Sequence, residues 1–167
     1  MKKRMSIFAI LIAVLALGIG YAAISAVTLS ITGSGTISPD TDNFDVHYDG
    51  TVAVTKSSND ITTTQSHDNA QTGQFTITGM TKKDDTVTFT YTVQNDSEDL
   101  SASLAAPTIV TNSNSTYFTV TSSTAANSIA AGGSTTQTVT VTAIKTPVTE
   151  DETTNVTINL VASPSNS

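Results

Sequence analysis

The most constraining feature of this sequence is a set of short runs in which apolar residues alternate with threonine. In residues 86–93, TVTFTYTV, every second residue is apolar and every residue between is Thr. Successive side chains of a β-strand point to opposite faces, so this run predicts a central strand with one face in a core. Thr makes up roughly one residue in five, and its β-branched side chain suits the surface of a sheet. The chain is therefore expected to be built from strands.

The same alternation recurs along the chain between turns rich in Gly, Asn, Asp and Ser. Residues 139–143 and 156–160 are predicted to form a hairpin across an acidic turn at 150–152. Residues 124–131 are interpreted as a loop, because no helical period is sustained there. We predict eight to ten strands and an all-β fold, an Ig-like or jelly-roll antiparallel β-sandwich that follows an N-terminal signal helix. The weaker strand candidates are residues 44–48, 51–55, 74–78, 108–111 and 117–121.

The N-terminal residues have the organisation of an export signal. Three basic residues at 2–4 precede an apolar run at 7–19, and small residues follow. We predict a signal peptide at 1–25, cleaved near 22–25, and an extracellular product on the cell surface or in the matrix. The alternative is an uncleaved anchor, because residues 7–29 are long enough to cross a bilayer. Membrane contact would then occur only through this segment.

Cleavage would free an N-terminal strand, 26–39, that precedes a single sandwich domain at 40–167. Its residues 26–37, AVTLSITGSGTI, alternate apolar and polar residues, and Gly33 and Gly35 leave two vacancies in the apolar stripe. Such a segment could add to a sheet of a neighbouring copy, or it could be the first strand of its own sandwich. The predicted self-assembly residues are Val27, Leu29, Ile31 and Ile37.

Composition argues against nucleic acid as a partner and against catalysis. The net charge is -7, and without residues 2–4 four lysines face fourteen acids, so a phosphate backbone would be repelled. Cysteine is absent, which excludes thiol catalysis. There is no HExxH or GxSxG motif, and we expect His47 on the surface face of a strand and His67 in a loop. We predict that the protein is not an enzyme.

One loop offers candidate ligands for a hard cation. Asp40, Asp42 and Asp45 bring three carboxylates together, and calcium prefers oxygen ligands. The glycine of an EF-hand loop is missing, so the other interpretation is a solvated loop in an acidic protein. We expect no cofactor apart from this candidate calcium.

The end of the predicted signal resembles a known family. Residues 18–22, GIGYA, are similar to the G-x-x-Y-A region of TasA- and camelysin-type secreted proteins of Gram-positive bacteria. The resemblance continues in pattern through residues 87–95 and 130–141. It implies processing by a dedicated signal peptidase and a sandwich that assembles into biofilm-matrix fibres. In that assembly the freed N-terminal segment of one subunit completes a sheet of the next.

The resemblance therefore favours a secreted fibre subunit that forms a homopolymer, with other matrix or surface proteins as further partners. Two alternatives stay open. One is a monomeric, surface-displayed Ig-like module for binding or adhesion. The other is a metallopeptidase like camelysin, although no ligand cluster of this sequence matches such a site.

Overall fold

The structure, a computed structural model, describes residues 34–35, 43–67 and 71–165, and this part of the chain is all-β. The chain divides into two units, Met1–Ser38 and Pro39–Ser167, and the described residues other than 34–35 belong to the second. These described ranges contain eleven strands: β1 (Val46–Lys56), β2 (Thr62–Ser66), β3 (Gln74–Thr78), β4 (Thr86–Asn95), β5 (Ser101–Leu104), β6 (Thr108–Asn112), β7 (Phe118–Thr124), β8 (Ser128–Ile129), β9 (Ser134–Ala143), β10 (Val156–Asn159) and β11 (Ala162–Ser165).

A four-stranded antiparallel sheet, in the order β1-β4-β9-β7, forms one layer. Every second residue of β4 and of β9 is buried, because the apolar residues of both strands face the same side. The threonines of the opposite face are partly exposed. The predicted central strand at 86–93 is therefore confirmed. The buried face contributes Val87, Phe89, Tyr91, Val139 and Val141 to the core.

Three smaller antiparallel sheets cover the apolar face of the central sheet: β2-β3, β10-β6 and β11-β5-β8. The ring of Phe75 on β3 stacks on Phe89, with 4.6 Å between the ring centroids. A second cluster joins Val93 of β4 to Leu104 and Ile129 in the sheet of β5 and β8. The architecture is that of an all-β antiparallel sandwich, as the alternation predicts.

The predicted hairpin of residues 139–143 with 156–160 is wrong. Strand β9 pairs with β4 and β7, whereas β10 pairs with β6 in the other layer. Alternation indicates which face of a strand is buried, but it does not identify the strand beside it. Both segments are strands, and only their pairing differs from the prediction.

The remaining differences concern the limits of strands. Residues 46–48 of the predicted strand 44–48, and all of the predicted strand 51–55, belong to the single strand β1, whose register shifts between Asp49 and Ala53. Gly50 lies in this irregularity with φ +71, a conformation that glycine adopts without strain. Residues 124–131, interpreted as a loop, include β8. Strands β2, β5 and β11 are additions to the predicted set.

The predicted signal peptide, 1–25, lies outside the described residues. Of the predicted N-terminal strand, the structure describes only Ser34 and Gly35, which are exposed and belong to no strand. Within the described part of the chain no helix has the length and apolar character needed to cross a membrane.

Candidate functional site

The second layer of the sandwich is open between two strand edges. Among the described residues β3 pairs only with β2, β10 pairs only with β6, and no hydrogen-bonded ladder joins β3 to β10. Hollows lie between these two edges, and Tyr91, Val139 and Val141 of the central sheet contribute to their lining, although each of these side chains is at most 4% exposed. We call this opening the groove, with β3 and β10 as its walls and the central sheet as its floor.

The groove consists of three hollows that share lining residues and are therefore continuous. At one end, the Phe118 end, a hollow of about 750 Å³ lies over Phe118 and Val141, between β3 and residues 152–157. At the other, the Phe44 end, a hollow of about 380 Å³ is lined by Phe44 and Leu160. Apolar side chains line both ends, so each offers a place for apolar groups.

Two tyrosines fill the floor of the middle hollow, whose volume is about 550 Å³. The rings of Tyr48 and Tyr91 lie 5.4 Å apart between centroids. The Tyr48 hydroxyl donates to Gln137 Oε1 at 2.6 Å, and the Tyr91 hydroxyl donates to the Gln74 carbonyl at 3.2 Å. Burial raises the pKa of Tyr91 to about 12, with a further contribution from Tyr48, and burial also raises the pKa of Tyr48. The middle of the groove is thus bulky and hydrogen-bonded.

The walls of the groove lack two of the usual protections of a sheet edge. Exposed edges commonly carry lysine, proline or a bulge that discourages pairing with another chain. Neither β3, QFTIT, nor β10, VTIN, contains a charged residue or a proline, although the register of β10 with β6 shifts between Thr157 and Ile158. At the rim Val161 is 57% exposed. Both edges are therefore chemically suited to accept another strand.

The two walls run in opposite directions. Gly73, just before β3, and Phe75 of β3 line the middle hollow, and the last residues of β3 line the Phe118 end. Strand β10, in contrast, begins at the Phe118 end and leads to Leu160 at the Phe44 end. Any strand inserted between them must be parallel to one wall and antiparallel to the other. The predicted self-assembly residues, Val27, Leu29, Ile31 and Ile37, lie outside the described residues.

A cluster of three side chains forms beside the Phe44 end. His47 Nδ1 lies 3.1 Å from Asp45 Oδ1, and His47 Nε2 lies 3.6 Å from Asp96 Oδ2. The Asp96 amide also donates to the Asp45 carbonyl at 2.9 Å. The cluster ties the start of β1 to the turn that follows β4. Of the predicted calcium ligands it contains Asp45, while Asp40 and Asp42 lie outside the described residues.

This cluster differs from the predicted calcium site in its chemistry. Calcium takes oxygen ligands, whereas an imidazole beside carboxylates is typical of zinc and other transition metals. One ligand atom from each of the three residues lies within 4.8 Å of the others. However, the two ring nitrogens of His47 face different carboxylates. His47 lies in β1 with intermediate burial, and its side chain is 10% exposed because the ring lies between the two carboxylates.

His67 lies apart from this group. It directly follows β2, at the end of the described range 43–67. Its ring contacts the edge of the Tyr91 ring, with 6.4 Å between the ring centroids. Its Nδ1 atom is buried without a hydrogen-bond partner among the described residues. Within those residues, the three side chains that could together hold a metal ion are those of Asp45, His47 and Asp96, and His67 is not among them.

Fold and groove define the class of this protein as an all-β antiparallel sandwich whose second layer is interrupted. No protein-family model, curated protein or solved structure matches the chain. The functional argument therefore depends on the groove and on the sequence pattern.

Proposed function

We propose that this protein is a secreted structural subunit of cell-surface or extracellular-matrix fibres. Subunits join when the N-terminal strand of one copy adds to a sheet of the next copy. The observation that carries the proposal is the pair of strand edges, of β3 and β10, that no ladder joins among the described residues, with hollows lined by apolar side chains between them. A strand added here would pair its backbone with an edge and place alternate side chains toward these hollows.

The segment 26–37 has the properties that such an occupant needs. It carries no charged residue, so the acidic character of the chain does not oppose its entry. Its apolar residues recur at every second position, which gives one face for the floor and one for water. Twelve residues extend over about 40 Å, and the groove needs about 20 Å, the length of the six-residue step from Thr135 to Val141 along β9.

The resemblance of residues 18–22 to TasA- and camelysin-type proteins supports the same function. Removal of the signal would leave the segment 26–37 at the new N-terminus, free to reach a neighbour. The product would be a homopolymer in the extracellular matrix, with other matrix or surface proteins as further partners. Neither calcium nor another cofactor has a part in this assembly.

The test compares the chain that starts at Ala26 with one that starts at Asp40. We expect the longer form to assemble and the shorter form to remain a folded monomer, as measured by size-exclusion chromatography, electron microscopy and circular dichroism. If the shorter form unfolds, the segment is a strand of its own sandwich. If the longer form stays monomeric under all conditions, the monomeric binding module is favoured.

A charge at one position of the segment gives a sharper test. Leu29→Lys would place an ammonium group in a dry groove, at a cost of several kcal/mol, so we expect assembly to be lost. The matched control is Ser30→Lys, whose side chain would point to solvent if the segment inserts as a strand. Equal effects of the two substitutions would contradict insertion of the apolar face.

We also propose that the protein is not an enzyme. Catalytic zinc sites combine three protein ligands with an open position, and the two carboxylates of the cluster flank opposite nitrogens of His47. Elemental analysis of the purified protein should find no stoichiometric zinc. Zinc at one equivalent, together with proteolysis that is lost in His47→Ala or His67→Ala, would establish the peptidase alternative.

A further inference from the structure

We propose that copies of this chain bind one another end to end, through oppositely charged surfaces at the two ends of the central sheet. One surface, the lysine end, consists of Lys56, Lys82, Lys83 and Lys145. The other, the acidic end, consists of Asp45, Asp96, Glu98 and Asp99. This inference goes beyond the proposed function, because the contact uses neither the groove nor residues 26–37.

All four lysines of the described residues lie at the end of the central sheet where β4 begins. Strands β1 and β9 are both antiparallel to β4, so their last residues lie beside its first. Lys56 ends β1, Lys82 and Lys83 are in the loop before β4, and Lys145 follows β9. The Lys83 amide donates to Thr146 Oγ1 at 2.9 Å, which joins the last two loops. The lysines therefore form a row across three adjacent strands.

The ammonium groups of this row are available to a partner. All four lysines are exposed, and among the described residues none of them forms an ion pair with a carboxylate. Lys56 Nζ donates to the Ile61 carbonyl at 2.7 Å, and Lys145 Nζ lies 4.8 Å from the centroid of the Tyr117 ring. Both of these partners are neutral, so the positive charges of the row remain.

Carboxylates near the lysine end are mostly buried or belong to loops of the second layer. Asp85 is 2% exposed, and its carboxylate accepts hydrogen bonds from two backbone amides of its own loop at 2.8 and 3.1 Å. The acidic run 150–152 leads to β10, and its last residue accepts from Asn114 Nδ2 at 3.0 Å. Asp60 lies in the loop that leads to β2. Asp84 is exposed among the lysines, so the row carries four ammonium groups around one exposed carboxylate.

The acidic end lies where β4 ends, and it contains no lysine. Asp96, Glu98 and Asp99 follow β4, and Asp45 precedes β1, whose start pairs with the end of β4. All four acids are exposed. Among the described residues Asp45 and Asp96 face His47, whereas Glu98 and Asp99 form no ion pair. This end therefore presents a surface of negative charge.

The separation of the two ends allows them to attract although the chain as a whole is acidic. Strand β4 has ten residues and extends over about 30 Å. At about 0.1 M salt, charges are screened over about 10 Å, so two facing ends act on each other more strongly than the remote charges do. Surfaces of opposite sign speed the encounter of two proteins and fix their orientation. The lysine end of one copy therefore attracts the acidic end of the next.

This contact joins different surfaces of the two copies, so it can repeat from copy to copy along a row. Exposed ion pairs contribute little to affinity one by one. We therefore expect the contact to act on the rate and the orientation of association. In a fibre it would align the copies head to tail.

The first experiment reverses the charge of each end in turn. One variant carries Lys82→Glu with Lys83→Glu, and the other carries Glu98→Lys with Asp99→Lys. The secreted chain is used, its N-terminus is determined by mass spectrometry, and association is followed by light scattering at about 0.1 M salt. Each variant alone should associate at least about tenfold more slowly than the native chain, because ends of like charge then meet.

An equimolar mixture of the two variants should recover the native rate, because every end then has a partner of opposite charge. The matched control, Lys82→Arg with Lys83→Arg, keeps the charge and should associate like the native chain. Circular dichroism of each variant checks that it is folded. A mixture as slow as the separate variants would overturn the contact.

The sign of two effects separates this contact from general repulsion between acidic chains. Glu98→Lys with Asp99→Lys makes the chain less negative, so general repulsion predicts faster association, whereas the contact predicts slower association. Raising the salt from about 0.1 M to 1 M shortens the screening length from about 10 Å to 3 Å. The native chain should then associate more slowly, whereas screening of general repulsion would speed it. Faster association in either case overturns the contact.

The second experiment needs no variant. A carbodiimide joins a lysine to a carboxylate that touches it, and peptide mass spectrometry of the native chain should find Lys82 or Lys83 linked to Glu98 or Asp99. The two ends of one copy are about 30 Å apart along β4, so such a link reports two copies. Its absence from associated native chains overturns the contact.

The outcomes separate this inference from the proposed function. Loss of assembly in Leu29→Lys, combined with native association of both charge-reversed variants, supports strand addition and overturns the end-to-end contact. Native assembly of Leu29→Lys, combined with slow variants that recover in the mixture, supports the contact and contradicts strand addition. A native chain that stays monomeric up to its limit of solubility contradicts both.

Discussion

Asn95 is the side chain whose replacement should reveal most about how the sandwich is closed. It is fully buried at the end of β4. Its amide nitrogen donates toward the carbonyls of Leu100, Ile129 and Ala130 at 2.9, 3.3 and 3.1 Å, and its Oδ1 accepts from the Ser97 amide at 3.3 Å. One side chain thus joins the central sheet to the chain around β5 and β8. Asn95→Asp keeps the shape of the side chain and replaces the donating amide nitrogen with a carboxylate oxygen.

The expected loss of folding stability in Asn95→Asp follows from the two hydrogens that the Asn95 amide donates. Each hydrogen bond lost beside a buried acceptor costs about 1–3 kcal/mol, so the two together cost about 4 kcal/mol. The ionised carboxylate would in addition point its oxygen at carbonyl oxygens, which adds to the loss. This is a large fraction of the roughly 5–15 kcal/mol of stability typical of a domain. Protonation of the introduced carboxyl restores one donated hydrogen, so the loss should shrink as the pH falls.

Urea unfolding of the native chain and of Asn95→Asp, followed by circular dichroism at pH 7 and pH 4, measures this difference. The matched control is Asn127→Asp, which makes the same chemical change at an exposed position. We expect the free energy of unfolding to change by less than about 0.5 kcal/mol for such a surface substitution. A loss below about 1 kcal/mol in Asn95→Asp, equal at both pH values, would refute the hydrogen-bond account.

Two further predictions concern the core and the floor of the groove. Phe89→Ala should lower the free energy of unfolding in urea by about 3–5 kcal/mol, because the ring is fully buried and stacked on another ring. Val110→Ala, at a site 57% exposed, should change this free energy little. Similar losses of stability in both variants would contradict the assigned core. Because the pKa of Tyr91 is raised to about 12, the stability it contributes is complete below about pH 10 and is lost as the pH rises through about 12. Tyr91→Phe should flatten this alkaline loss in melting experiments, and an unchanged pH profile would show that the ring is open to water.

The central strands could be predicted because one of their faces is buried and the other is Thr. Strand β3 has the predicted limits, 74–78, and β6 extends the predicted 108–111 by one residue. Two of the missed strands lack this signal. The sequence of β2, TTTQS, contains no apolar residue, and β11 includes Pro164. Such strands form because a neighbour offers an edge, so their own pattern does not reveal them.

The candidate site was less accessible to prediction, because it depends on which strands are neighbours. Asp45 and His47 are two residues apart and could be expected on one face of a strand. Asp96 joins them because Val46 pairs with Asn95 in the register of β1 with β4. The groove depends on two edges, of β3 and β10, that do not pair with each other. Neither relation is encoded in the alternation of a single segment.

The groove also explains how an open acceptor could remain folded in water. Among the described residues, both hydrophobic clusters consist of residues that follow the N-terminal segment. In the middle of the groove the hydroxyls of Tyr48 and Tyr91 are hydrogen-bonded to Gln137 and to the Gln74 carbonyl, so these two hydroxyls need no further partner. In the proposed assembly the apolar ends would supply the free energy of strand insertion. If stability and assembly depend on different residues, loss of the segment should abolish assembly while the unfolding transition persists.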